Sequence, residues 1–324
     1  MKKLIVAMLC LALCLSACTA LAASEPKMTD DINDRTVYVE YVCENEYPYT
    51  YTDAAGREIT ISEPIKRIAV DYLPLWESLT LLGVEPVAAS GSDNYLQTWD
   101  AFEGYEFDGI TDFASGSEVN LELLTEIEPD LIMTQVWDVS NLDIGNYEKL
   151  ANVAVFDNAT KMDWRESMRQ VGALLGLSNR AECVISQVEA RLDEAKGNLA
   201  AKLEGKTVMQ VSLMGEDRYF CTWREDLYGE SGLKLPLPEG YTTETTYQQV
   251  SVEAIAQMNP DYIFVNMFDG DDAIYEGMTS SSVWQSLKAV QNGHVFMLDG
   301  GGHATSALST LYTINFMVEC LNNH

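Results

Sequence analysis

The sequence is short of positive charge. It has 20 Lys and Arg against 50 Asp and Glu, with three His, which gives a formal net charge of −30 at pH 7 over 324 residues. A field of that sign repels nucleic acid and anionic headgroups, so no nucleic-acid partner is expected. The usual catalytic signatures are missing too. There is no GxSxG, no HExxH and no P-loop, which removes the common grounds for a serine hydrolase, a zinc protease or a nucleotide-driven enzyme. No CxxC occurs, and the cysteine spacing does not suit a zinc site. The apolar content of 47% and charged content of 22% are globular values, and the length accommodates two domains with cores of their own.

What is present begins with a local signal. Lys2 and Lys3 precede an apolar run over residues 4–15, too short to cross a bilayer as an ordinary helix. Leu15, Ser16, Ala17 and Cys18 follow. This order resembles the lipobox of bacterial lipoproteins. The resemblance implies a signal peptide over residues 1–17, diacylglycerol on the Cys18 sulfur, palmitate-type acylation, and an exported chain anchored to the cell membrane. A plain signal cleaved after Ala20 or Ala23 is the other reading. Residues 18–35 are polar and acidic without periodicity and read as a tether. Beyond the anchor, Cys43, Cys183, Cys221 and Cys320 remain. Four thiols allow three pairings. Cys221 with Cys320 is the favoured pair, and free buried thiols are the alternative.

One segment occurs twice. Residues 120–132 read NLELLTEIEPDLI, and residues 251–263 read SVEAIAQMNPDYI. Each has an N-cap residue, a glutamate two positions on, apolar residues at helical spacing, Pro-Asp, and a short β-prone run. Proline ends each helix because the residue before it disfavours helical backbone. Two helix–turn–strand units this alike predict two similar α/β lobes. Around the first copy the spacing predicts a hairpin over residues 49–61, a strand at 67–70, a helix from Pro74 to Gly83 and strands at 86–89 and 153–156. Apolar residues at steps of three and four from Ala181 to Leu203 predict a helix of about 25 residues, roughly 37 Å long. A helix of that length between two lobes is a stiff connector. The expected organisation is a first lobe over residues 36–163, a helical region over 164–204 and a second lobe over 205–324. The Asp299-Gly-Gly-Gly-His303 stretch reads as a flexible loop, and Asp269, Asp271 and Asp272 as a solvated loop without EF-hand spacing.

With these elements placed, the chain resembles the ABC-importer substrate-binding proteins with a helical backbone (class III), which serve iron–siderophores, haem and cobalamin. The resemblance covers about residues 36–321. It implies an α/β fold of two lobes with parallel-type sheets joined by one rigid helix, with a ligand cleft between them. It implies a monomeric binding protein rather than an enzyme, with no catalytic residue and no resident cofactor or metal. Its partners would be a membrane permease with its ATPase. In that family the glutamate of each repeat copy pairs with permease arginines, and here those are Glu122 and Glu253. Read locally, a first-turn glutamate is stabilised by the helix dipole and needs no partner.

A ligand between the lobes would meet loops that carry Tyr72, Tyr95, Trp99, Phe113, Trp137, Tyr219, Trp223, Arg224, Tyr247 and His303. The resemblance ranks Trp137 and Tyr247 first. For any single aromatic, core packing is the competing reading, and Trp76, Trp164 and Trp284 are assigned to the core. Only Arg224 and Arg218 offer cations near the cleft. That favours a neutral or weakly charged chelate (a hydroxamate siderophore, cobalamin or haem) over an anionic tris-catecholate. His303 is either a metal contact or an ordinary hydrogen-bonding side chain. Two other classes stay open: a surface enzyme on the same frame, and an adhesin or sensor lipoprotein.

Overall fold

A computed structural model describes residues 28–115, 118–136, 144–157, 163–215, 218–241 and 247–324. Cys18 and Trp137 lie outside these residues. The chain opens with an antiparallel hairpin of β1 (Tyr49–Thr52) and β2 (Glu58–Ile61). Its turn is closed by the buried Asp53 carboxylate, which accepts from the Arg57 N–H and pairs with the Arg57 guanidinium at 2.6 Å.

The first lobe follows with β3 (Ile68–Val70), α1 (Leu73–Leu81), β4 (Ala88–Ala89), α2 (Ser92–Thr98), β5 (Ala114–Ser115), β6 (Glu118–Val119), α3 (Leu121–Ile127), β7 (Leu131–Gln135) and β8 (Asn152–Phe156). Its main sheet runs β4-β3-β7-β8, parallel throughout. Side chains alternate across a strand, so Leu131 and Met133 enter one core while Ile132 enters another on the opposite face.

Next come α4 (Trp164–Leu175) and α5 (Ser178–Ala200). The second lobe holds β9 (Val208–Leu213), β10 (Tyr219–Thr222), α6 (Glu225–Tyr228), β11 (Tyr247–Val250), α7 (Val252–Met258), β12 (Tyr262–Asn266), α8 (Asp272–Ser280), α9 (Ser282–Gln285), α10 (Lys288–Gln291), β13 (Val295–Leu298) and α11 (Ala307–Asn323). Its sheet runs β11-β10-β9-β12-β13. Strands β9, β12 and β13 are parallel, whereas β10 is antiparallel to both its neighbours. The second sheet is therefore mixed, because β9 turns directly into β10 without a crossover helix.

The two repeat copies fold alike to the last cap. Asn120 accepts from the Leu123 N–H, and Ser251 from the Ala254 N–H. Both helices end on a left-handed non-glycine residue, Glu128 at φ 51° and Asn259 at φ 42°. The Pro-Asp pairs do more than turn the chain. Asp130 accepts from the Lys66 and Arg67 N–H groups just before β3, and Asp261 accepts from the Thr207 N–H just before β9. Each aspartate thus sets the start of the neighbouring strand.

Helix α5 has 23 residues, about 34 Å. It buries Ala181, Val184, Ile185, Val188, Leu192, Ala195 and Leu199. A Cβ on Gly172 would lie 2.6 Å from the Ala181 Cβ, so glycine permits α4 and α5 to cross closely. One apolar core runs from the first sheet through α1, α4, α5 and α11 into the second sheet, which makes the junction stiff.

Two expectations are corrected. The tether read to residue 35 ends sooner, since Met28 and Ile32 pack against the core. The Ile32 N–H donates to Gln187 on α5 at 3.0 Å, and the buried Arg180 bonds the Thr29 carbonyl. The Cys221–Cys320 pair is absent. All four described cysteines are free, and burial within the core pushes the Cys221 thiol up to about 12.

Candidate ligand-binding cleft

A cavity of about 1020 Å³ opens between the lobes. Part of its lining directly follows parallel strands, Asp71 and Tyr72 after β3, Ser90 after β4 and Met214 after β9, while antiparallel β10 adds Phe220 and Thr222 from one face. That is the crevice beyond the carboxyl ends of the strands, where open α/β sheets bind ligands. Tyr72, Tyr95 and Trp99 line it from the first lobe, and Trp223, Arg224, Tyr247 and His303 from the second. The rings form a chain across the junction. Tyr95 lies 4.5 Å from Trp99, Trp99 6.3 Å from Phe268, Phe268 5.2 Å from His303, and His303 6.0 Å from Tyr247. His303 places Nδ1 3.3 Å from the Ser212 hydroxyl.

The glycine stretch expected as a flexible loop is instead a buried 3-10 turn, Gly300–Gly302. A Cβ on Gly300 would lie 2.5 Å from the Trp99 ring, and one on Gly302 2.1 Å from Leu298. Glycine is what lets Trp99 seat on the second lobe. The Asp299 carboxylate fastens the contact, accepting from the Asp100 N–H of the first lobe at 2.6 Å and from the Gly301 N–H of its own at 2.8 Å.

Three expected cleft residues stand elsewhere. Phe113 is 1% exposed and packs with Leu124 and Ile132 in the first lobe. Tyr219 is buried on the far face of β10, beside Ser251 and Glu253. Arg218 bonds back to the Met214 carbonyl at 2.9 Å and lies outside the cavity. The Tyr219 error has a simple cause. Alternation along β10 turns Tyr219 and Cys221 one way and Phe220 and Thr222 the other, and the second pair lines the cleft. Trp164, assigned to the core, also reaches the wall. The Arg165 guanidinium lies 4.4 Å above its ring. Asp71 is a further lining residue that the sequence did not single out. The Thr134 hydroxyl donates to its carboxylate at 2.6 Å, and burial pushes that group up to about 6.

Arg224 is in the cleft wall but does not face a ligand as a bare cation. Its guanidinium meets Asp226 at 2.5 Å and the Gly302 carbonyl, and its side chain is 1% exposed. Arg165 pairs with Glu189 at 2.6 Å. Both arginines are already committed within the protein.

Glu122 and Glu253 are exposed, each the second residue of its helix. Hydrogen bonds from its own N–H and the Ser251 hydroxyl hold the Glu253 carboxyl below the usual range.

Compared with known proteins, residues 69–300 match the periplasmic binding protein family. The chain belongs to that family. Its members are extracytoplasmic binding components of transporters rather than enzymes. The iron(3+)-hydroxamate-binding protein FhuD of Bacillus subtilis is 27% identical over 285 residues, covering 84% of this chain and 86% of that one. The iron-uptake system-binding protein of the same organism is 26% identical over 274 residues, 78% of this chain and 82% of that one. Solved periplasmic binding proteins share the fold. A FhuD fold-family component of a Fep/Fec-like ferrichrome ABC transporter from Bacillus subtilis matches with a TM-score of 0.70 at 24% identity, covering 85% of this chain and 100% of that one. FeuA from Bacillus subtilis, complexed with ferri-bacillibactin, gives 0.68 at 22% identity, with 85% and 99% covered. Among the described residues no helix is long and apolar enough to cross a membrane, and no three His, Cys, Asp or Glu gather as a metal cage.

Proposed function

We propose that the protein is the lipid-anchored binding component of an ABC importer, and that its cargo is a ferric siderophore without strong negative charge. The observation that carries this is the aromatic-walled cleft, on whose described walls Arg165 and Arg224 are both paired internally. Rings supply large apolar area to a bulky organic chelate. A tris-catecholate complex carries several negative charges and would meet no uncommitted cation on the described walls, in a protein of net charge −30. A hydroxamate complex suits such walls. The names of the relatives point to iron chelates, including hydroxamates and citrate, and favour these over haem or cobalamin. Iron enters as part of the cargo.

Cys18 is the anchoring residue in this reading, and two relatives are named lipoproteins. Glu122 and Glu253 are the permease contacts, one on each lobe. His303 contributes a ring to the wall, held by the contact of its Nδ1 with the Ser212 hydroxyl at 3.3 Å.

Tryptophan fluorescence tests the reading. A ferric trihydroxamate is expected to quench emission and saturate at a single equivalent with a Kd of micromolar or below. Replacing Trp99 or Trp223 by Ala should weaken binding about tenfold or more, since each is a large anchor in the wall. Absence of quenching at high micromolar chelate would sink the assignment.

A further inference from the structure

We propose that the chelate is cationic and that Asp71 receives its positive group, an ammonium carried on the siderophore arm. This rests on the siderophore reading above and narrows it. On the described walls of the cleft, four carboxylates face two arginines: Asp71, Asp163, Glu225 and Asp226 against Arg165 and Arg224. Arg224 is neutralised by Asp226, and Arg165 turns to Glu189, which does not line the cavity. Asp71, Asp163 and Glu225 are left without a cationic partner among the described residues. The described part of the cleft wall is therefore negative in character.

The three are not equivalent. Asp163 and Glu225 are exposed, where water screens them. Asp163 also caps α4 through the Arg165 N–H, and Glu225 accepts from the Ser231 hydroxyl at 2.9 Å. Asp71 is half-buried at the end of β3, on the wall where the chain of rings begins. The groups facing it are hydroxyls and an amide: Thr134 at 2.6 Å, Tyr147, and the Gln135 N–H. Tyr147 is the one of these that titrates, and burial, with contact with Asp71 adding to it, pushes it well above the usual tyrosine range. These neighbours orient the carboxylate but supply no positive charge. A half-buried anion held by neutral donors is where an arriving ammonium gains most, because charges interact more strongly away from bulk water.

The test compares two chelates that differ in one charge, on the full chain. Ferrioxamine B bears a free primary ammonium, and its N-acetyl derivative is the same chelate without it. Isothermal titration should show ferrioxamine B bound at least about tenfold more tightly than the acetylated form at pH 7.5. In Asp71→Asn the two should come within about twofold of each other. In the unaltered protein the preference should also shrink as pH falls through about 6, where Asp71 takes up a proton. That arm stands even if the variant fails to fold. Equal affinity of the unaltered protein for the two chelates overturns the Asp71 assignment while leaving the siderophore reading intact. Binding of neither hydroxamate, with tight binding of a ferric tris-catecholate, overturns both.

Discussion

Reversing both exposed glutamates, Glu122→Lys together with Glu253→Lys, is expected to abolish chelate uptake by whole cells. The affinity of the isolated protein for its chelate should stay within about twofold of the original. The two side chains occupy the same position in two copies of one helix, each after a side-chain cap and each open to solvent. Neither lines the cavity. Exposed charges contribute little to stability, so folding should survive the change. What they do contribute is orientation, and one charge on each lobe fixes a two-lobed body against a partner at two points. A single reversal should reduce uptake and the pair should remove it. If ligand affinity collapses with uptake, the glutamates act on the cleft; if uptake persists, docking lies elsewhere on the surface.

Replacing Glu77 by Gln is expected to remove most of the pH dependence of stability between about 5 and 8. Glu77 lies on α1, fully buried, where that helix meets α11. Burial pushes its carboxyl up to about 8, and Asp299 adds to the rise. The Ser306 hydroxyl and Arg224 act the other way but do not prevail. Arg224 is already bound to Asp226 at 2.5 Å. Because the folded value exceeds the ordinary glutamate value, the folded chain holds a proton that the unfolded chain releases. Stability from this group is therefore greatest below about pH 4.5 and falls as pH rises to about 8, by an amount on the order of a few kcal/mol. Gln fills nearly the same volume and does not ionise. Thermal unfolding followed from pH 5 to 8.5 should give a flatter curve for Glu77→Gln, crossing above the unaltered protein at the alkaline end. Parallel curves would show that Glu77 stays ionised in the fold.

The repeated segment was the most legible feature of the chain. Its caps and its helix-ending prolines read correctly, because helix ends are decided by a few local residues. The long helix read correctly as well, apart from its last turn, since its apolar stripe is continuous. The cleft was legible as a set of loops but not side chain by side chain. Tyr72 and Trp223 were found because they fall just after strands. Tyr219 was misplaced because a one-residue step along a strand changes the face, and the turn that sets that register is a tertiary matter. The commitment of Arg224 to Asp226 is two residues long in sequence, yet it depends on the third partner, Gly302, from another part of the fold. The glycine turn looked flexible because glycine permits many backbones. Only Trp99, arriving from the other lobe, shows that close approach is the reason for it.

Diffraction from crystals grown with a ferric trihydroxamate, recorded at the iron absorption edge, tests the central claim most directly. The expected result is one anomalous peak per chain inside the interlobe cavity, among Tyr72, Trp99, Trp223 and Tyr247. Iron on the outer surface, or a chelate that leaves this cavity empty while binding elsewhere, would contradict it.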